Sequence, residues 1–274
     1  MTINCKGKLI DLSSPKVMGI LNITPNSFFD GGMHKDDKAV LLHIESMLNE
    51  GATFIDVGAY SSKPNADDVS EDDELKRIIP IVNLVLKEFP DVLLSIDTFR
   101  SEVAKQCIEA GAALVNDISA GKLDDNMMQT VANLHVPYIM MHMKDSPQNM
   151  QQHTNYGNLI KDILFYFSER ISEAKALGII DLIVDPGFGF AKTMEQNYEL
   201  LNKLELFNMI EKPLLIGVSR KSMIYKALET NANEALNGTT VLNTIALQKG
   251  ASILRVHDVK EAMECITLVE SLSC

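Results

Sequence analysis

The chain has 274 residues, of which 46% are hydrophobic and 23% charged, and its formal net charge is −12 with a pI near 4.9. This length and composition predict a well-filled globular core, in one large domain or two small ones. The acidic balance argues against nucleic acids and acidic membranes as partners, so any bound anion must be held by a few local Lys and Arg side chains.

The four cysteines are scattered and show no C-x-x-C spacing. They predict neither a disulfide framework nor a zinc site, and they favour a reducing compartment. No targeting signal stands out at the N-terminus, and no apolar run approaches the roughly 18 residues of a membrane span. We therefore expect a cytoplasmic protein without a membrane segment.

Residues 2–12 alternate weakly around Gly7 and predict a small hairpin that closes one end of the domain. From residue 17 onward a short apolar run, a polar residue, a loop and a helical pattern recur about eight times. The apolar runs are residues 17–21, 53–55, 92–96, 113–115, 138–141, 182–184, 213–218 and 253–254. The helical patterns are residues 36–50, 71–87, 101–110, 124–134, 159–177, 195–206, 234–249 and 259–272.

The strands are continuous apolar runs, which is typical of a parallel sheet buried on both faces. We predict an α/β protein: a single (β/α)₈ TIM barrel over residues 1–274, with the short N-terminal hairpin. A doubly wound open sheet is the alternative.

Nearly every predicted strand ends in a side chain that can carry charge or form hydrogen bonds. These residues are Asn22, Asp97, Asn116, His142, Asp185, Lys221, Arg255 and His257. Any one of them alone is adequately explained as a cap or a satisfied polar residue. Because parallel α/β folds bind ligands at the carboxyl ends of their strands, the set together predicts a binding mouth.

The charge types in this set predict two parts of the site. Acceptors and an amide at Asp97, Asn116 and Asp185 suit a heterocycle rich in N–H donors. Positive charge at Lys221, Arg255 and His257 suits an anion or an anionic leaving group.

Residues 182–193, LIVDPGFGFAKT, turn from a buried strand into a glycine-rich loop directly after Asp185. This carboxylate can accept two parallel hydrogen bonds, and Gly187 and Gly189 allow a ligand to approach the backbone closely. Phe188 or Phe190 can cover the face of a ring. A turn with a capping aspartate is the alternative.

A second anion site is predicted at Ser219 and Lys221, where a helix begins near Ser222. An ordinary N-cap is the alternative. Two long polar loops, residues 22–34 and 59–70, are typical of functional lids. The first of them contains Phe28 and Phe29, for which anchoring in the core is the alternative to a role in binding.

Taken together, these stretches resemble the dihydropteroate synthases over essentially the whole chain. The matching motifs are residues 18–25 (MGILNITP), 55–58 (IDVG), 95–98 (SIDT), 116–118 (NDI), 141–143 (MHM), 185–190 (DPGFGF), 219–222 (SRKS) and 255–259 (RVHDV). The resemblance implies a (β/α)₈ barrel that joins 4-aminobenzoate to a pterin diphosphate. It also implies a Mg²⁺ cofactor, sensitivity to sulfonamides and a homodimer.

The resemblance also implies residue roles. Asp97, Asn116, Asp185 and Lys221 would hold the pterin, with Arg255 and Met140 or Met141 beside its ring. Asn22, Arg255 and His257 would hold the diphosphate, with Asn22 as the Mg²⁺ ligand. Phe28, Ser62, Lys63, Pro64, Phe190, Ser219 and Ser222 would form the aminobenzoate pocket, and Thr24 and Gly189 would complete the substrate-binding set.

The two lid loops depart from the family pattern. Asn26 and Lys63 stand where the family commonly has Asp and Arg, and Phe29 stands where Ser is usual. Two alternative functions share the pterin pocket: a non-catalytic pterin-binding paralogue, which the altered loops favour, and a folate:corrinoid methyltransferase domain. The methyltransferase has no use for the SRKS motif.

Overall fold

The computed structural model describes residues 1–23, 33–60, 69–146 and 148–272. The strands in these ranges are β1 (Thr2–Cys5), β2 (Lys8–Asp11), β3 (Lys16–Asn22), β4 (Phe54–Gly58), β5 (Leu93–Asp97), β6 (Leu114–Asp117), β7 (Tyr138–Met141), β8 (Leu182–Asp185), β9 (Leu215–Ile216) and β10 (Ile253–Val256). The α-helices are α1 (Met33–Asn49), α2 (Glu71–Glu88), α3 (Ser101–Glu109), α4 (Met127–Leu134), α5 (Leu159–Ala176), α6 (Met194–Asn202), α7 (Ser222–Ala227), α8 (Leu236–Gln248) and α9 (Val259–Ser271). Short 3₁₀ helices span Met150–Gln152, Leu204–Ile210 and Ala232–Glu234.

Within the described ranges, the strands from β3 to β10 form an eight-stranded parallel sheet in the order β8-β7-β6-β5-β4-β3-β10-β9. The sheet closes because Val184 of β8 forms a parallel bridge to Leu214, directly before β9. The backbone N–H of Val184 donates to the carbonyl of Pro213 at 3.0 Å. The prediction of a (β/α)₈ barrel is thereby confirmed, and the open sheet is excluded.

The inside of the barrel is apolar at its N-terminal end. Ile3 and Ile10 of the hairpin pack in one buried cluster with inward-facing strand residues such as Phe54, Ile139 and Ile183. Burying side chains of this size stabilises the fold by about 1.5–3 kcal/mol each. The hairpin therefore closes this end of the barrel, as predicted, and we expect a ligand to bind at the carboxyl ends of the strands.

Some predicted boundaries differ from the structure. The predicted strand 213–218 is a ladder of only Leu215–Ile216, because the chain already turns at Val218, whose carbonyl accepts from the N–H of Lys221. The predicted helix 195–206 ends at Asn202 and continues as the 3₁₀ helix Leu204–Ile210. The predicted helix 124–134 begins at Met127, because the Asp124 carboxylate instead accepts the N–H groups of Ser101 and Asn126. No helix in the described part of the chain is long and apolar enough to cross a bilayer.

Candidate active site

Arg255, on β10, lies at the centre of a hydrogen-bond network in the barrel mouth. Its Nε donates to Asp56 Oδ2 at 2.6 Å, and its Nη2 donates to Asp97 Oδ2 at 2.7 Å. Asn116 Nδ2 donates to the same Asp56 oxygen at 3.0 Å. A guanidinium carries several donors in one fixed plane, so it can join carboxylates from two strands with a defined orientation. The network fixes Arg255 and orients Asn116.

Asp56 is a site residue that the sequence-based set left out. Its side chain is fully buried, and its neighbours Ile55 and Val57 pack in the layer between the barrel and the helices. Because successive side chains of a strand alternate, Asp56 faces the barrel interior. A buried carboxylate needs a compensating cation. The sequence signal was this acid between two apolar residues in the middle of a strand.

Asp97, at the end of β5, carries a carboxyl group that titrates near neutral pH. Burial raises its pKa to about 7, against the lowering effect of the Arg255 guanidinium, and the nearby Asp56 charge raises it further. Its side chain is 19% exposed, unlike that of Asp56. Asp97 is therefore an acceptor at the open side of the network, and a ligand N–H donor would favour its ionised form.

Asp185 and Lys221 form the second charged part of the mouth. Burial raises the pKa of Asp185, while the ammonium of Lys221 and the N–H of Gly187, 2.7 Å from Asp185 Oδ1, lower it. Burial lowers the pKa of Lys221 to about 8, and the Asp185 charge opposes this. The attraction between the carboxylate and the ammonium favours the ionised form of each group. Lys221 Nζ also donates to the Phe188 carbonyl at 2.5 Å.

The glycine-rich segment after β8 packs closely against neighbouring parts of the protein. Gly187 has φ +74°, and a Cβ there would lie 2.1 Å from the carbonyl oxygen of His142. Gly189 has φ +82°, and a Cβ there would lie 3.4 Å from Lys221 Cδ. Phe188 is fully buried in the core, whereas Phe190 is half-buried with Lys221 Nζ 4.9 Å from its ring centre. Of the two phenylalanines, Phe190 is the one available to a ligand.

The structure separates Met140 from Met141 on β7, and it corrects the placement of His142, which follows β7. Met140 is fully buried in the layer between barrel and helices, whereas Met141 packs with Phe190 in a cluster at the mouth. His142 does not join the rim: its ring is buried against Tyr166, and its Nδ1 lies 3.1 Å from Lys192 Nζ. Strand alternation explains both, because Met140 and His142 point outward while Met141 points inward.

Ser219, after β9, and His257, after β10, meet at the rim as expected. Ser219 Oγ lies 2.9 Å from His257 Nδ1 and accepts the backbone N–H of His257 at 3.1 Å. Arg220, between Ser219 and Lys221, has φ +54° and turns away to form a bidentate pair with Asp258. That left-handed residue lets Ser219 and Lys221 both face the mouth.

Asn22 and Ser222 are the two other described residues that were predicted to bind anionic groups of the substrates. Asn22 is exposed at the end of β3, which pairs directly with β10. Ser222 begins α7, a helix of only six residues. In the ranges that the structure describes, no group of three His, Cys, Asp or Glu side chains could hold a metal ion. A resident all-protein metal cage is therefore absent from those ranges, and Asn22 offers a single amide oxygen.

Five residues of the predicted substrate-binding set, Thr24, Phe28, Ser62, Lys63 and Pro64, lie outside the described residues. The same holds for Asn26 and Phe29, at which the loops depart from the family pattern.

The family model described as pterin binding enzyme matches residues 18–257 of this chain. Dihydropteroate synthase from Escherichia coli is 41% identical over 273 residues, covering 99% of this chain and 96% of the relative. A Yersinia pestis dihydropteroate synthase in a sulfonamide drug complex superposes with a TM-score of 0.93 at 41% identity, covering 100% of this chain and 99% of the other. The Xanthomonas albilineans dihydropteroate synthase with 4-aminobenzoic acid gives 0.91 at 33% identity, covering 100% and 98%.

The fold and the charged mouth define a barrel of the pterin-binding class. The chain belongs to the pterin binding enzyme family, and its relatives at 41–42% identity include the dihydropteroate synthases of Escherichia coli and Haemophilus influenzae.

Proposed function

We propose that the protein joins 4-aminobenzoate to 6-hydroxymethyl-7,8-dihydropterin diphosphate, giving 7,8-dihydropteroate and diphosphate. This is a transferase reaction of folate biosynthesis. The observation that carries the proposal is the convergence of Asp97, Asn116, Asp185, Lys221 and Arg255 at the carboxyl ends of the strands, opposite the end that the hairpin closes. The relatives described above support the same reaction.

The polar layer, formed by the polar side chains at the carboxyl ends of the strands, suits the flat, nitrogen-rich edge of a pterin. Asp185 can accept two parallel N–H donors, and Asn116 offers both a donor and an acceptor. Asp56 Oδ1 and Ser95 Oγ are buried without a hydrogen-bond partner among the described residues, so the layer has spare acceptors. The donor-rich edge of a reduced pterin complements that excess. Met141 and Arg255 are the groups placed to cover the ring faces.

The diphosphate would lie between β3 and β10. Exposed Asn22 and His257 end these neighbouring strands, and Arg255 lies deeper on β10. We propose that Asn22 helps to hold Mg²⁺, because this ion keeps several waters and binds through one or two protein oxygens together with substrate phosphates. When bound, Mg²⁺ neutralises charge on the departing diphosphate.

The reaction follows from the charges of the site. Cleavage of the C–O bond releases diphosphate and leaves a pterin cation, which the carboxylates of Asp97 and Asp185 stabilise. The nitrogen of 4-aminobenzoate then forms the new C–N bond and loses one proton. His257 and Arg255 hold the leaving anion. No protein nucleophile takes part in this scheme.

The aminobenzoate would lie against Phe190, with its carboxylate towards Ser219 and Ser222. Phe190 is half-buried beside Lys221, and Ser219 is held in place by His257. Residues 62–64 and Phe28 complete this pocket in the proposal. The relative solved with 4-aminobenzoic acid supports this substrate.

We further propose a cytoplasmic homodimer. Cys5, Cys107 and Cys265 are free and buried, which suits a reducing compartment. Val241 on α8 and Leu268 on α9 are 51% and 69% exposed on neighbouring helices, which supports an apolar contact face. Light scattering coupled to size-exclusion chromatography tests the dimer: a monomer mass at micromolar concentration contradicts it.

Asp185→Asn tests the site assignment. Asn keeps the shape but replaces the second acceptor oxygen with a donor, so a charge-assisted contact worth about 1.5–3 kcal/mol is lost and affinity for the pterin diphosphate falls by about 10- to 100-fold. Titration calorimetry measures this, with exposed Asp125→Asn as the matched control. Wild-type affinity in Asp185→Asn would show that the pterin binds elsewhere.

A further inference from the structure

Lys192 is a buried lysine that neither the sequence analysis nor the proposed reaction uses. It follows the glycine-rich segment after β8, and only 3% of the residue is exposed. Its Nζ donates to the Gly187 carbonyl at 2.8 Å and to the Phe190 carbonyl at 3.0 Å, and lies 3.1 Å from His142 Nδ1. A lysine ammonium has three donors, so all three are engaged.

The carbonyls that Lys192 holds belong to the segment carrying the pterin-binding groups. The Gly187 N–H donates to Asp185 Oδ1 at 2.7 Å, and the Phe188 carbonyl accepts from Lys221 at 2.5 Å. Lys192 therefore forms hydrogen bonds to the segment on both sides of Phe188 and fixes the backbone to which Asp185 and Lys221 bind.

His142 supplies the third contact and ties the segment to the barrel wall. Its backbone N–H donates to the Asp185 carbonyl at 2.9 Å. Burial and the nearby ammonium of Lys192 hold the pKa of His142 well below its usual range. The imidazole is thus neutral, and its Nδ1 can accept from Lys192 while the other nitrogen carries the proton.

Lys192 also acts on the site through its charge. The charged or titratable groups facing it are Asp185 from β8, Lys221 from the residue before α7, and His142 and Lys144 from the segment after β7. Burial lowers the pKa of Lys192 to about 7, while the Asp185 carboxylate raises it. When protonated, Lys192 lowers the pKa of the Asp185 carboxyl, as Lys221 and Arg255 also do.

We propose that Lys192 is a positioning residue of the pterin site, which braces the 187–190 segment against His142 and places a positive charge near Asp185. This inference rests on the proposed function, because its readout is pterin binding. Lys192 itself touches no substrate in the proposal and acts through Asp185 and Lys221.

The test compares Lys192→Gln and Lys192→Met with the wild type. Both variants remove the charge, and Gln keeps amide hydrogens for the two carbonyls. The control is Lys203→Gln at the end of α6, where the lysine is 47% exposed and pairs with Glu199. Calorimetry from pH 4.5 to 8 gives the affinity for pterin diphosphate, and thermal unfolding confirms that each variant is folded.

Affinity for the pterin falls below a certain pH, which is the acid limb of its profile. Loss of the Lys192 charge raises that pH by about one unit in both variants, because one unit charge in a partly buried site has an effect of this size. At pH 8, Lys192→Gln binds within about 3-fold of the wild type and Lys192→Met about 10-fold more weakly, because only Gln holds the carbonyls. The control keeps the wild-type profile.

An acid limb that stays at the wild-type pH in folded Lys192→Gln overturns the proposal. So does failure of both variants to fold, which would make Lys192 a purely structural residue. Absence of pterin binding in the wild type is a different result, because it contradicts the proposed function itself.

Discussion

Replacing Asp56 with Asn tests whether the buried network around Arg255 organises the site. The Asp56 carboxylate is fully buried and binds both Arg255 Nε and Asn116 Nδ2 through one oxygen. Asn keeps the size and one acceptor oxygen but removes the charge. Arg255 then retains a single ionised partner, Asp97.

The expected cost follows from these contacts. Removing one partner of a buried ion pair costs about 3–5 kcal/mol. Asn still accepts one hydrogen bond and Asp97 still pairs with Arg255, so the loss lies nearer the worth of a charge-assisted hydrogen bond, about 2 kcal/mol. For a chain of this size the Tm falls by about 4–8 °C.

Asp56→Asn also changes the titration of the site. The Asp56 charge raises the pKa of Asp97, so its removal lowers that pKa, and the part of the pH dependence of pterin affinity that Asp97 sets moves to lower pH. Scanning calorimetry and binding titrations against pH measure both effects, with Asp125→Asn as the surface control. An unchanged Tm together with an unchanged acid limb would refute the organising role of Asp56.

Three further changes have defined outcomes. The pKa of Asp97 in the folded state, about 7, exceeds its value in the unfolded chain, so ionisation of Asp97 lowers the free energy of unfolding as the pH rises from about 4 to 7. Denaturant titrations should show that the stability of the wild type falls relative to that of Asp97→Asn over this pH range and then levels off. Gly187→Ala places a Cβ against the His142 carbonyl at φ +74°, so it should lower the Tm and the yield of folded protein. Arg100→Met leaves the buried Glu74 carboxylate without its ion-pair partner, and the loss of about 3–5 kcal/mol should shrink at acidic pH, where Glu74 is protonated. Equal losses at pH 5 and pH 8 would contradict this last account.

The strand-end residues were predictable because two regularities combine in a parallel barrel. The apolar runs located the strands, and the fold brings every carboxyl end to one rim, so Asp97, Asn116, Asp185 and Arg255 could be grouped without coordinates. The sequence left Met140 and Met141 as alternatives because an all-apolar run does not reveal which residue faces inward. The side chain at the end of a strand, such as Asp185, shows which residues of that strand face inward only once the pairing register with the neighbouring strands is known.

Lys192 and Asp56 escaped the sequence analysis for different physical reasons. A lysine after a loop is most often solvated, and only the fold shows that His142 and two carbonyls surround this one. Asp56 lies inside a strand and not at its end, and the cation that compensates it, Arg255, is 199 residues away in sequence. Pairings of this range are set by barrel closure.

The most direct test of the account is an assay of diphosphate release from 6-hydroxymethyl-7,8-dihydropterin diphosphate with Mg²⁺, run with and without 4-aminobenzoate. We expect diphosphate and 7,8-dihydropteroate to appear in equal amounts when 4-aminobenzoate is present. Tight binding of the pterin without formation of dihydropteroate would contradict it, and would favour a pterin-binding protein without synthase activity.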